Sequence, residues 1–385
     1  MGGCEQMNKI GLSKMYIDEE INKAALDVLA SGRYIKGPRV KEFEEQFAQF
    51  TGAQYAIATS SGTTALFTIY LGLGLKPGDE VIVPTHTFIA TATPFMFLGA
   101  KPLFVDIDIE TYAMDPEDVK KKITPKTRAV VPVHIYGHPV DMQPILELAE
   151  KHNLKVIEDS CQAHGAIYQN QNIGDIGFAG CFSYFPSKNM TVAGDGGMIV
   201  TNDTEFADRV RILRNHGRTN RDTSELLGLN FRMSELHAAI GMVQLKHLPD
   251  WTEARRKAAE NYNKIFKDSG LVDEHLVLPI ERNWAKHVYH LYVIRVLGGK
   301  RDALKSYLKD QGIDTGIHYP KPLHEQPCII DYLKDNFNVT LTGDSYPITN
   351  RIVKEILSLP IYPSISTDDI TRVVNAIISF FGGQA

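Results

Sequence analysis

Seven short apolar runs punctuate the first half of the chain: Tyr55–Ala58, Val81–Pro84, Leu103–Asp106, Ala129–Val133, Val156–Asp159, Cys181–Tyr184 and Met198–Thr201. Most are rich in Val and Ile and lack polar alternation, as strands buried on both faces do. Between them lie stretches of helical period such as Ala65–Leu71 and Pro144–His152. Strand and helix in alternation predict βαβ units, an α/β fold with a mostly parallel seven-stranded sheet flanked by helices. Only a short Gly-rich link joins the last two runs, so an irregular or antiparallel strand is expected there.

The pattern changes after Asp203. Glu205–Leu213 and Ser234–His247 read as amphipathic helices, and Trp251–Lys267 as a separate, long charged helix leading to a second unit. Beyond it lie a strand candidate at His290–Val296, helices at Arg301–Asp310 and Asp368–Phe381, and Pro-punctuated loops, a smaller α+β unit. A chain of 385 residues exceeds one ordinary domain. The expected division is a large domain over residues 1–250, N-terminal segment included, and a small C-terminal domain over 251–385. No tandem repeat or low-complexity tract interrupts this plan.

Composition narrows the function classes. Hydrophobic residues at 43% and charged residues at 23% are ordinary for a globular chain. A net charge of -5 gives nucleic acid no electrostatic footing. Met1–Ile10 lacks the apolar core of a signal peptide and no apolar run is long enough to span a bilayer, so no membrane association and a cytoplasmic location are expected. Cys4, Cys161, Cys181 and Cys328 show no metal-like spacing and read as buried or idle thiols in a reducing compartment.

Three elements carry chemistry. Ser60-Ser61-Gly62-Thr63-Thr64 lies between a strand and an apolar helix, where backbone N–H groups and the helix dipole favour an anion. Taken alone, an ordinary helix N-cap accounts for the same residues. Glu158 and Asp159 end a buried strand, where α/β proteins place their ligands, and a carboxylate there can pair with a protonated ring nitrogen. Capping of a following helix is the plainer account. Lys188 lies on a short loop between two core strands, followed by Gly194-Asp195-Gly196-Gly197. An isolated lysine is usually a solvated surface residue. Desolvation and nearby cations would lower its pKa and make it a nucleophile toward a carbonyl.

In that order on alternating β and α, these elements are the minimum for pyridoxal-5′-phosphate (PLP) chemistry. Here the sequence resembles the DegT/StrS family of nucleotide-sugar aminotransferases, within the aspartate-aminotransferase fold. The resemblance runs from Tyr34-Ile35-Lys36-Gly37-Pro38 to Leu359-Pro360. It includes Gly78-Asp79-Glu80-Val81-Ile82-Val83-Pro84, Gln162-Ala163-His164-Gly165, Asn230-Phe231-Arg232-Met233 and His318-Tyr319-Pro320. It implies that Lys188 carries PLP and shuttles the proton, Asp159 pairs with the pyridine nitrogen, and Gln162 with the phenolic oxygen. It further implies that Phe88 stacks on the ring, that Gly62, Thr63 and Ser183 bind the phosphate, and that Asn230 reaches that phosphate from the neighbouring subunit of a homodimer. Tyr34, His86, His318 and Tyr319 match positions near the sugar-nucleotide cleft. Two departures, Gly-Asp-Gly-Gly for the commoner Gly-Glu-Gly-Gly and Ser187 before the lysine, leave PLP binding intact.

The function so implied is transfer of an amino group, from glutamate, to a keto-sugar on a nucleoside diphosphate. The Pro186-Ser187-Lys188-Asn189 and Gly-Asp-Gly-Gly segments resemble members acting at ring carbon 3 more than at carbon 4. A PLP-dependent sugar dehydratase of the same family has histidine in place of the lysine. A non-catalytic PLP-binding regulator would be expected to show a basic patch or helix-turn-helix segment, and neither is present. An amino-acid aminotransferase would carry a carboxylate-binding arginine in the small domain, and the region around His318 has none. His134 and His138 lack acid or cysteine partners at ligand spacing, so no metal is expected. Asp106 and Asp108 read as turn caps.

Overall fold

The computed structural model describes residues 9–341 and 345–382, so Cys4 lies outside them. All seven expected strands form: β1 (Tyr55–Thr59), β2 (Glu80–Pro84), β3 (Lys101–Val105), β4 (Thr127–Val130), β5 (Lys155–Asp159), β6 (Ala179–Ser183) and β7 (Gly197–Thr201). They make one sheet in the order β1-β7-β6-β5-β4-β2-β3. The pairs β3/β2, β2/β4, β4/β5 and β5/β6 are parallel, while β7 runs antiparallel to both β6 and β1, as its short Gly-rich link requires.

Both faces of this sheet are covered, which explains the unbroken apolar runs. Alternate side chains of a strand point to opposite faces. Val81, Val83, Ile157 and Ile199 pack on one side with Leu66, Ile69 and Tyr70 of helix α3 (Gly62–Leu73). Ile82, Val130 and Val156 pack on the other, against apolar residues of α4 (Pro116–Lys122) and α5 (Met142–His152). Two N-terminal helices absent from the sequence reading, α1 (Glu19–Ser31) and α2 (Pro38–Thr51), precede the sheet, and α6 (Thr204–Leu213) follows it.

The two expected helices around residue 250 are one helix, α7 (Glu235–Asp268), with Pro249 inside it. Proline removes one backbone bond. Leu245, Leu248, Trp251, Thr252 and Arg255 are buried on either side of it, and that burial holds the helix continuous. The expected division at residue 250 falls within this helix. A second sheet, β8 (Leu276–Val277), β9 (Tyr292–Val296) and β10 (Ile356–Leu359), packs with the latter part of α7 and with α8 (Arg301–Asp310) and α11 (Thr367–Phe380).

The chain crosses between the two units at further places. Ile10 is buried in the small core, and its N–H and C=O pair with Gly312 and Asp314 at 2.9 Å each. Ile329 and Leu333 of α9 (Pro327–Phe337) join the core of the large sheet. Asp108 caps the next turn, accepting from Thr111 N at 2.8 Å. Asp106 does something else: it accepts from Ile348 N and Thr349 N, both at 2.9 Å, at the start of α10 (Pro347–Glu355). A helix start leaves orphan N–H groups, and here a carboxylate from the end of β3 satisfies them. No helix among the described residues is long and apolar enough to cross a membrane.

Candidate active site

Strand alternation separates the two acids that end β5. Glu158 turns away from the cleft: its carboxylate accepts from Gly174 N, Ile176 N and Gly177 N at 2.6–2.8 Å, and His134 Nε2 lies at 3.1 Å. That pairing gives His134 a structural task. Asp159 faces a cavity of about 390 Å³ beyond the carboxyl ends of the parallel strands, where a doubly wound sheet opens. Its backbone is pinned by Pro132 O and His134 N at 2.9 and 3.1 Å. Its side chain accepts from Thr91 Oγ1 at 2.8 Å and Cys161 N at 3.2 Å.

Lys188 enters the same cavity from the loop between β6 and β7. Its N–H bonds Phe185 O at 2.8 Å, and Asn189 is anchored through Val288 O and His290 Nδ1, both at 3.2 Å. Burial lowers the amine's pKa, partly opposed by Cys161, Asp159 and Cys181. The free, nucleophilic amine is therefore more accessible than for a surface lysine.

One end of the cavity is built for an anion. Ser61 N-caps α3, accepting from Thr64 N at 3.1 Å, while Thr64 Oγ1 accepts from Ser61 N at 2.9 Å. This capping box serves the N-cap and third-position N–H groups; those of Gly62 and Thr63, two residues that line the cavity, remain at the positive end of the dipole. Gly62 is required by close approach, because a Cβ there would lie 2.8 Å from Ser183 Cβ and 3.1 Å from Cys161 Sγ. Gly197 is similar: its Cβ would fall 2.3 Å from Ser61 O. These two glycines let the start of α3 sit on the β6 and β7 ends, next to Ser183.

A further part of the lining is aromatic and polar. Phe88 and Tyr319 lie with ring centroids 5.6 Å apart. Gln162 accepts from Tyr136 N at 2.7 Å and donates to Tyr319 Oη at 3.1 Å. His318 lines the cavity, with Nδ1 2.8 Å from Ser358 Oγ, and burial lowers its pKa to about 4.

The model of the DegT/DnrJ/EryC1/StrS aminotransferase family matches residues 15–378. The chain belongs to this family. It is 40% identical over 374 residues to the "pleiotropic regulatory protein" of Geobacillus stearothermophilus, covering 97% of this chain and 98% of that one. It is 41% identical over 363 residues to the dTDP-3-amino-3,6-dideoxy-alpha-D-galactopyranose transaminase of Aneurinibacillus thermoaerophilus, covering 94% and 96%. The solved structure of Streptomyces venezuelae DesV with a ketimine intermediate superposes with a TM-score of 0.90 at 37% identity, covering 97% and 98%. Solved relatives hold the cofactor in its pyridoxamine and pyridoxal forms.

This family member is a PLP-dependent aminotransferase, and its cavity fits that cofactor. Neutral donors at a helix N-terminus suit the phosphate, a fixed carboxylate suits a protonated ring nitrogen, and a buried amine suits the aldehyde. Bound PLP supplies an electrophilic carbonyl carbon and a ring that takes up the electron pair left when a substrate C–H proton departs.

Lys188, Asp159, Gly62, Thr63, Phe88, Gln162, Ser183, His318 and Tyr319 all line this cavity. Three expected residues do not. His86 is buried behind the wall, its Nε2 2.6 Å from Tyr136 Oη, and desolvation lowers its pKa to about 3. Tyr136 in turn donates to the His318 carbonyl, so His86 meets the cavity only through intermediaries. Tyr34 is exposed in the turn between α1 and α2, bonded to Leu29 O at 3.2 Å. Asn230 is exposed on a surface loop, held by a bridge to Asn215.

Other residues at the site were not singled out by the sequence: Cys161 lines the cavity and Cys181 is buried beside it. Cys161 and Cys181 have no metal-like spacing, yet their sulfurs lie 3.7 Å apart and, with Asp159, group three candidate ligand atoms within 4.8 Å. Burial holds the Cys181 thiol well above its ordinary pKa. Thr91 and Arg255 were also missed. Arg255 did leave a signal: it falls on the apolar stripe of α7 with Trp251, Ala258 and Tyr262, all buried.

Proposed function

We propose that this aminotransferase moves an amino group from glutamate to ring carbon 3 of a keto-sugar carried on a nucleoside diphosphate, in the cytoplasm. The observation that carries the reading is the meeting of Lys188 and Asp159 in one cavity beside the anion-accepting start of α3. The name of the Aneurinibacillus relative, a transaminase of a 3-amino sugar nucleotide, supports the substrate class and the carbon.

In this reading Lys188 Nζ carries the proton to and from the substrate carbon, the general acid–base step. Asp159, fixed by Thr91 and the Cys161 N–H, keeps the ring nitrogen protonated. Gln162 orients the phenolic oxygen, and Phe88 and Tyr319 wall the ring. Gly62, Thr63 and Ser183 bind the phosphate. Asn230 of the partner subunit would complete that site in a homodimer. Large apolar side chains left exposed on the same loop as Asn230, Leu227 and Leu229, are of the kind that a subunit interface covers.

The test is incubation of PLP-loaded enzyme and glutamate with 3-keto and 4-keto nucleotide sugars, products read by mass spectrometry. Amine product from the 3-keto sugar is expected, and amination confined to the 4-keto sugar refutes the carbon assignment. The name of the Geobacillus relative favours a second reading, a PLP-binding regulator. That reading requires a loaded Lys188 and no turnover with any sugar on the panel.

A further inference from the structure

Arg255, at the middle of α7, is 4% exposed and lines the same cavity as Lys188. Its three hydrogen bonds all come from Nη1 and go to backbone carbonyls: Tyr289 at 3.2 Å, His290 at 3.5 Å and Ile361 at 3.1 Å. Nε is buried with no partner among the described residues. Among the described residues no carboxylate forms an ion pair with Arg255, whereas the adjacent Arg256 pairs with Glu281 at 2.7 Å. Carbonyl dipoles satisfy donors but leave the charge uncompensated.

A buried cation without an anion is costly, and burial lowers this pKa only to about 10, so the guanidinium stays charged at neutral pH. The cofactor phosphate has its own donors at Gly62, Thr63 and Ser183, and Asp159 serves the ring nitrogen. Neither needs Arg255. The His290 and His318 imidazoles, which line the same cavity, are held neutral by burial, so they do not compete for an anion. A guanidinium matches the paired oxygens of a carboxylate or of a phosphate, so the distance of each charge from the reacting atom decides between them. In an amino acid the α-carboxylate is two bonds from the amine that must approach Lys188. The charge of a nucleotide sugar sits on its diphosphate, beyond the sugar ring and many bonds from a ring carbon that must approach Lys188.

We propose that Arg255 binds a carboxylate of the amino-acid donor and thereby restricts donors to amines that carry one. This rests on the transaminase reading above and supplies the arginine that the region around His318 lacks. Calorimetry on the PLP-loaded protein tests it, with glutarate as an amine-free donor mimic and UDP and TDP as diphosphate probes. Arg255→Gln should weaken glutarate by about tenfold or more, as loss of a charge-assisted pair does, and leave both diphosphates within about twofold. Arg255→Lys keeps the charge without the fork and should fall between. In turnover, KM for glutamate should rise while KM for the sugar stays.

Unchanged glutarate binding overturns the proposal, and so does loss of the diphosphates instead, which would assign Arg255 to the nucleotide. If Arg255→Gln fails to fold, Arg255→Lys decides by the same comparison. If no sugar is aminated yet glutarate still depends on Arg255, the sugar reading fails and the donor site stands. If Arg255→Gln aminates sugar at the wild-type KM for glutamate, the donor site fails and the sugar reading stands.

Discussion

The Thr91 hydroxyl donates a hydrogen bond to the Asp159 carboxylate at 2.8 Å, across 68 residues of chain. It ties the segment after β2 to the end of β5 and, with the Cys161 N–H, sets the direction of the acid. Asp159→Asn should fold and bind some PLP, yet lose at least about tenfold in kcat, since a charge-assisted bond is worth about 1.5–3 kcal/mol. Thr91→Val removes only the support and should cost about fivefold, near 1 kcal/mol. Steady-state kinetics decide; near-normal kcat in Asp159→Asn refutes the role.

Lys188 should be the residue that carries the cofactor. Borohydride reduction and peptide mapping should place a pyridoxyl group on Lys188, and Lys188→Ala should abolish turnover. A label on another lysine contradicts the assignment.

Burial also gives that lysine a pH signature. An amine whose pKa is lowered from 10.5 loses its proton earlier as pH rises, so it captures an aldehyde faster at lower pH than a surface lysine does. The rate at which the apo-protein takes up PLP should climb with pH and level off above a midpoint below 10.5. Below that midpoint the amine is protonated and capture slows. A midpoint at or above the ordinary lysine value contradicts the burial argument.

Gly62→Ala probes the phosphate end without removing a donor. Its Cβ would crowd Ser183 and Cys161, an overpacking that costs about 1–3 kcal/mol. Titration of the apo-protein with PLP should show affinity lowered by about tenfold, with the far-ultraviolet circular dichroism unchanged. Wild-type affinity would remove Gly62 from the site.

Subunit sharing is open to complementation. When Lys188→Ala and Asn230→Ala chains exchange, each mixed dimer carries one site with both defects and one with neither. Activity should return toward one site per heterodimer, provided Asn230→Ala alone is severely impaired. An inactive mixture after verified exchange, or an active monomer, excludes the shared site.

The order of elements was legible in the chain itself, because a run such as Val81–Pro84 or Val156–Asp159 reports its burial through residues a few positions away. The antiparallel β7 followed from the brevity of the link before it, and the loop position of Lys188 from the strands on either side. Local pattern even hinted at Arg255, a charge in an apolar stripe. What it could not carry was partnership between distant residues. Cys161 and Cys181 meet because parallel pairing sets Asp159 beside Cys181, while their spacing in the chain resembles no site. Asp106 reads as a turn cap until α10 docks on it, and α7 reads as two helices until burial on both sides of Pro249 outweighs the proline. Glu158 and Asp159, adjacent and alike in sequence, part company because a strand turns successive side chains to opposite faces. Which face opened on the cavity was settled only when the second unit closed over the strand ends.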